Sequence, residues 1–245
     1  MKAVILAAGV GSRLNEITKN IPKSMIRINN KYIFNIIVDA LVASGIKDIV
    51  FVIGYRHKIL KAKIVEGLSD YDLNIEFVIN KDYLTTNTMY SLWLAKECLT
   101  GPFISLHGDL IFDDKILLDF INSNKGNSVL VDKSFPLDWD DAMKIIAHKN
   151  ELKYMSKQIT LNEMDGVAIG IYQFDELGAQ KLFNIISNLI SNGVVTSWLS
   201  EAINILAKEI PVIVRNIDND YQWTDIDNLT DLEQGIRIFK KILSN

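Results

Sequence analysis

Two glycines, two cations and three carboxylates carry the chemistry readable from this sequence. Gly9 and Gly11 stand in LAAGVGSR, directly after the apolar run Val4-Ile5-Leu6, with Arg13 closing the stretch and Pro22-Lys23 further on. Glycine lets the backbone approach a phosphate closely, and the N–H groups of such a loop face an anion. Arg13 and Lys23 add charge-assisted bonds to phosphate, roughly twice as strong as neutral ones. Leu6, Ala7, Ala8 and Ser12 complete the loop. Far along the chain, Asp109 ends a predicted strand in HGDLIFD, after Gly108, and Asp225 and Asp227 flank Ile226 in YQWTDIDNL. If that segment is extended, alternation points both carboxylates the same way. With Asp109 they can hold Mg²⁺, or Mn²⁺, since hard cations prefer oxygen ligands. A turn role for Asp109 and a helix N-cap role for Asp227 are the plainer alternatives.

Three kinds of phosphate loop compete for LAAGVGSR. A dinucleotide fingerprint requires a third glycine and a later acidic residue, but Leu14 stands where that glycine belongs. A P-loop requires a Gly-Lys-Ser/Thr ending, which is absent. What remains is a loop for nucleotidyl transfer, against the bland option of a strand-to-helix turn with incidental basic residues.

The elements that must position these groups alternate in the first half. Strands are predicted at 2–8, 48–54, 74–80 and 102–109, with helical patterns at 33–45, 57–68 and 88–99 between them. Such a βαβ rhythm predicts a parallel sheet with helices on both faces. Past Asp109 and a helix at 115–121, short strands follow at 128–134, 142–148 and 152–156, with a hairpin turn at Lys149-Asn150-Glu151. A strand at 166–174, helices at 176–191 and 196–208, a strand at 211–217 and a helix from about Asn228 complete the order. The fold class is α/β, with a mixed, mainly parallel sheet in a three-layer α/β/α arrangement.

Composition narrows the classes. At 245 residues, 49% hydrophobic and 23% charged, the chain is sized and balanced as one globular domain. A net charge of -4 argues against a general nucleic-acid binder. One cysteine, Cys98, excludes an internal disulfide and a cysteine-built zinc site, and its setting in WLAKECL reads as a helix face. No signal peptide or membrane-length apolar stretch is evident, so a cytoplasmic protein is expected.

Leu6 to Arg13, with Pro22-Lys23, resembles the L-A-A-G-x-G-x-R and P-K pattern of the sugar-phosphate nucleotidyltransferase family. More narrowly, the chain is similar to the choline-phosphate cytidylyltransferases of bacterial surface-polymer and capsule pathways, most strongly in the loop, NTMYSLWLA, HGDLIFD and WTDID. The resemblance implies a Rossmann-like, GT-A-like fold in a single domain: a nucleotide half (1–122), an acceptor half (123–227) and a C-terminal helix (228–245). It further implies Asp109 and Asp227 as the metal-binding aspartates, with Asp225 a helper. The expected reaction is attack of an acceptor phosphate on the α-phosphorus of CTP, with pyrophosphate leaving. Such chemistry relies on positioning and charge neutralisation, so Arg13 near the pyrophosphate and Lys23 at the transferred phosphate are the catalytic candidates.

Asn87 and Thr88 can read a pyrimidine edge, or simply cap the following helix. For the acceptor, Lys133 and Lys144 can hold a phosphate. Trp139, with Asp138, Asp140 and Asp141 near it, can hold an amine or quaternary ammonium, joined by Trp198, Tyr221 or Trp223 and by Asp225. Glu201 and Lys157 read as surface groups. Relatives carry an acidic residue in a G-E-F-I-G-like strand, whereas this chain reads Gly166-Val167-Ala168-Ile169-Gly170. Asp165 is a candidate replacement, and phosphocholine, phosphoglutamine and aminoalkyl phosphonates all remain open as acceptors. The other readings are a sugar-1-phosphate nucleotidyltransferase using UTP or dTTP, and a non-catalytic nucleotide-binding regulatory protein.

Overall fold

The first strand, β1 (Lys2–Ala7), divides its side chains between two cores: Ala3 and Ile5 face one, Val4 and Leu6 the other. A strand buried on both faces belongs in the middle of a sheet covered on both sides. The computed structural model describes residues 1–14, 16–123, 126–134 and 141–243. After β1 come the two-residue strands β2 (Arg27–Ile28) and β3 (Lys31–Tyr32), α1 (Ile33–Ala43), β4 (Asp48–Ile53), α2 (His57–Gly67), β5 (Asn74–Ile79), α3 (Thr88–Leu94) and β6 (Phe103–His107). β1 pairs in parallel with β4 and with β6, and β4 with β5. Helix α3 is shorter than the pattern 88–99 suggests: it stops at Leu94, and a 3-10 turn at Lys96–Cys98 follows.

The second half contributes β7 (Leu110–Phe112), α4 (Asp114–Ser123), β8 (Ser128–Asp132), β9 (Lys144–His148), β10 (Glu151–Ser156), β11 (Gly166–Phe174), α5 (Glu176–Ser191), α6 (Leu199–Glu209), β12 (Ile213–Asn216), β13 (Trp223–Asp225) and α7 (Leu229–Ile242). The main sheet runs β5-β4-β1-β6-β11-β8-β12-β10-β9. Within it β10 and β11 run against the other strands, so the sheet is mixed but mainly parallel. Helices α1, α2, α4 and α7 cover one face, and α3, α5 and α6 the other. The β9–β10 hairpin turns through Lys149 (φ 52°) and Asn150 (φ 63°), the two left-handed residues that a tight two-residue turn requires.

Ligands of open α/β sheets collect beyond the carboxyl ends of the strands. Here that edge gathers the ends of β1, β4 and β6 and, because β11 is antiparallel, the start of β11. The small β7–β13 ribbon lies outside the main sheet and pairs Asp225 with Leu110. No described helix is long and apolar enough to cross a membrane.

Candidate active site

The loop after β1 is shaped by Gly11, whose φ of +68° lies in the left-handed region. Thr18 Oγ1 fixes it by donating to the Gly11 carbonyl (2.8 Å). A side chain added at Gly9 would meet nothing within 4 Å, so that face of the loop opens onto the cavity. Gly108 serves packing instead: a Cβ there would fall 2.8 Å from Ala7 Cβ and 2.9 Å from the Leu6 carbonyl. Its absence lets the end of β6 lie against β1 and carries Asp109 to the strand edge.

Pro22, extended at φ -61° and ψ 150°, leads into a 3-10 turn at Lys23–Met25. The Lys23 ammonium donates to Asp109 Oδ2 (2.7 Å) and to Asp227 Oδ1 (2.5 Å). Burial opposes its charge, but Asp109 and Asp227 outweigh that and hold its pKa above the ordinary lysine value. Burial likewise opposes ionisation of Asp109, and Lys23 more than compensates, so that carboxylate titrates below its ordinary range. For Asp225 the same lysine gives too little relief. Burial, reinforced by Asp109 and Asp227, pushes its pKa up to about 7.

The two carboxylate stations meet because the Ile226 amide donates to the Asp109 carbonyl (3.0 Å), extending the β7–β13 pairing. Asp227 is not the helix cap. Asn228 takes that position on α7, in a reciprocal capping box with Asp231, and the Asp227 carboxylate is left for Lys23 and Arg13.

Arg13 donates to Asp227 Oδ2 (2.6 Å) and to Asp141 Oδ2 (2.7 Å). The other Asp141 oxygen accepts from Lys157 (2.8 Å), whose ammonium lies 4.6 Å from the ring centre of Trp198. A relay of alternating charge therefore crosses the mouth of the cavity: Lys23, Asp227, Arg13, Asp141, Lys157. The surface role expected for Lys157 is corrected here, whereas Glu201 is exposed and outside the cavity. Lys157 carried no motif, and Asp141 was expected only among the carboxylates around Trp139; the folding of β10 and its following turn against the segment before β9 brings the two together beside Arg13.

The cavity itself has a volume of about 330 Å³, with a recess of about 80 Å³ under the loop. Leu6, Gly9, Gly11, Ser12, Arg13, Lys23, Asn87, Thr88, Asp109, Trp198, Trp223, Asp225 and Asp227 line the larger space, and Ala7 and Gly108 the recess. Ala8, buried behind the loop, lines neither. Its carbonyl accepts from the Tyr55 amide (2.9 Å), so it braces the loop from below. His107, which the motif reading passed over, lies on the floor. Burial lowers its pKa, and Gly170 (φ +84°) makes room for its ring, since a Cβ there would sit 2.8 Å from Nδ1.

Several expected acceptor residues lie elsewhere. Lys144 is buried in β9 and donates to the Lys157 carbonyl (2.9 Å), so it supports the segment that presents Lys157 and does not reach the cavity. Lys133 and Tyr221 line a different cavity on the α4 side, where the Tyr221 hydroxyl donates to Asp119 (2.6 Å). Trp223 reaches the central cavity, with its indole N–H committed to Asp132 (2.8 Å). Asp165 does not replace the acidic residue of the relatives: it accepts from the Ala147 amide (2.8 Å), and the wall is formed by Val167, Ala168 and Ile169. Trp139, Asp138 and Asp140 lie outside the described residues. Asn87 does cap α3, its Oδ1 accepting from the Thr88 amide (2.8 Å), while Thr88 Oγ1 accepts from the Leu199 amide (2.9 Å).

Among the described residues no group of three or more His, Cys, Asp or Glu is arranged to hold a metal ion. Magnesium, however, needs only one or two carboxylates beside waters and substrate phosphates. Asp109 Oδ1 is buried without a hydrogen-bond partner, with the Asp225 carboxylate close enough to repel it, and that one free oxygen among carboxylates fits a hard divalent cation.

A glycine loop with buried cation and paired carboxylates, at the carboxyl edge of a three-layer α/β sheet, defines a nucleotide-handling transferase site. Residues 2–132 match the model of the nucleotidyl transferase family, and the chain belongs to that family. It is 27% identical to the CTP:phosphoglutamine cytidylyltransferase of Campylobacter jejuni, across 96% of this chain and 99% of that protein. To the choline-phosphate cytidylyltransferase of Streptococcus pneumoniae it is 26% identical, across 98% and 99%. Among solved structures, the inositol-1-phosphate CTP transferase from T. maritima superposes with a TM-score of 0.85 at 21% identity, over 98% of this chain and 95% of that one.

Proposed function

We propose that the protein is a Mg²⁺-assisted cytidylyltransferase that moves CMP from CTP to a small, amine-bearing phosphorylated acceptor. The observation that carries this reading is the bridging of Asp109 and Asp227 by the buried ammonium of Lys23, with Arg13 on the outer oxygen of Asp227. Residues 1–122 serve chiefly the nucleotide and 123–227 the acceptor. An oxygen of the acceptor phosphate attacks the α-phosphorus. The bond from that phosphorus to the bridging oxygen breaks, and pyrophosphate departs with the electron pair.

Lys23 neutralises charge at the transferred phosphate, and Arg13 does so at the departing pyrophosphate, fixed in position before the reaction begins. Asp109 and Asp227 would hold the magnesium, which when bound draws charge from the phosphate oxygens. Lys157 meets the acceptor phosphate from the opposite wall. Asn87, its carbonyl engaged as a cap, turns its amide N–H₂ toward the base. A donor suits the N3 acceptor of cytosine and opposes the N3–H of uracil. Trp198 and Trp223, with Asp141 and Asp225, offer aromatic faces and carboxylates to an amine. The relatives named for CTP support the choice of nucleotide.

The test is pyrophosphate release from a grid of CTP, UTP and dTTP against phosphocholine, phosphoglutamine, aminoethylphosphonate and sugar 1-phosphates. Turnover confined to CTP with an amine-bearing acceptor is expected. Preference for UTP or dTTP with a sugar 1-phosphate overturns the substrate assignment, and CTP binding without turnover on any acceptor overturns the enzyme.

A further inference from the structure

The second large cavity, about 430 Å³, lies between α4 and strands β8 and β12, on the sheet face opposite α5 and α6. Its volume falls in the range of small-molecule sites. Arg215 of β12 projects from the same face as its neighbour Leu130, because Val214 on the alternate position packs into the other core. Arg215 Nε is buried and has no hydrogen-bond partner, a state that costs free energy and calls for an explanation. Lys133 lines the same space.

The charges around this cavity are unevenly satisfied. Of its two carboxylates, Asp119 accepts from the Tyr221 hydroxyl and Asp218 from the Asp220 amide (3.1 Å). Among the described residues, neither Arg215 nor Lys133 has an ion pair. Ile116, Phe120 and Ile217 supply an apolar floor beside the Tyr221 ring.

We propose that this cavity binds a small phosphate monoester, its oxoanion on Arg215 and Lys133 and its organic part on the apolar floor. The site is separate from the catalytic cavity, and the inference does not depend on the transfer reaction. A guanidinium is the side chain best suited to grip phosphate through two parallel bonds.

Isothermal titration of the full chain with phenyl phosphate tests it, with phenol and inorganic phosphate as the two partial probes. Phenyl phosphate should bind best, inorganic phosphate more weakly, and phenol not measurably. Arg215→Gln should weaken binding about tenfold or more, whereas Lys23→Ala, in the catalytic cavity, should leave this binding intact. Lys133→Gln, at an exposed position that the fold does not need, should weaken it several-fold. Unchanged affinity in Lys133→Gln or in a folded Arg215→Gln overturns the proposal. So does loss of all binding in Lys23→Ala, or phenol binding as well as its phosphate ester.

Discussion

The amide of Ile226 donates to the carbonyl of Asp109 at 3.0 Å, and this main-chain bond joins the two carboxylate stations. Because it involves no side chain, substitutions at the acidic positions can test chemistry without dismantling the junction.

Asp109→Ala should lower pyrophosphate release at least about 100-fold, equivalent to roughly 2.7 kcal/mol of transition-state stabilisation. Asp109→Asn should lose nearly as much, since it keeps the shape and removes the charge that faces Lys23. Near-normal turnover by either variant would remove Asp109 from the reaction.

Lys157→Met keeps an apolar stem against Trp198 and deletes the ammonium. The KM for the acceptor should rise about tenfold or more, from the loss of a charged bond to phosphate, with the KM for CTP little changed. An equal effect on both substrates would point to collapse of the relay through Asp141.

Asn87→Asp separates capping from base recognition. Aspartate caps a helix as well as asparagine does, so thermal stability should hold within about 0.5 kcal/mol. Without the amide donors, the KM for CTP should climb about tenfold. Stability lost in step with activity would leave Asn87 as a cap alone.

Metal-free protein should lose stability as pH rises from about 4 to 7. Asp225 has its pKa pushed up to about 7 in the fold, whereas an unfolded aspartate titrates near 3.9. Between those values the folded state binds more protons, so deprotonation favours unfolding. Asp225→Asn should flatten that slope in urea titrations, and Mg²⁺ added at pH 8 should restore stability to the unmutated protein. A slope identical in both proteins counts against this assignment.

Gly170→Ala should destabilise the fold by about 2–4 kcal/mol, combining an unfavourable left-handed φ with a clash against His107. A melting temperature within a degree of the parent would show that the floor yields easily.

The loop and Asp109 were legible because their order along the chain mirrors their place at a strand edge. Alternating βαβ patterns gave the first half of the sheet for the same reason. Lys157 was hidden: its partner Asp141 lies on another segment, and nothing local distinguishes it from a solvated lysine. Lys144 was misplaced because strand alternation decides between cavity and core, and Lys133 and Tyr221 because they sit just past β8 and just before β13, where the path of the turn decides which face they reach. The parity of a short strand cannot be set without knowing its neighbours. The β7–β13 ribbon escaped notice for a related reason, since three-residue strands carry almost no periodicity.

That ribbon makes the site depend on two stretches far apart in the chain, Leu110–Phe112 and Trp223–Asp225. Asp109 follows β6, whereas Asp227, the carboxylate that Lys23 and Arg13 share, follows β13. Since β13 contributes no rung to the nine-stranded ladder, peeling it away from β7 disarms the site while leaving that ladder whole. Protease nicking near residue 220 should therefore yield a protein that still looks folded and has lost its chemistry.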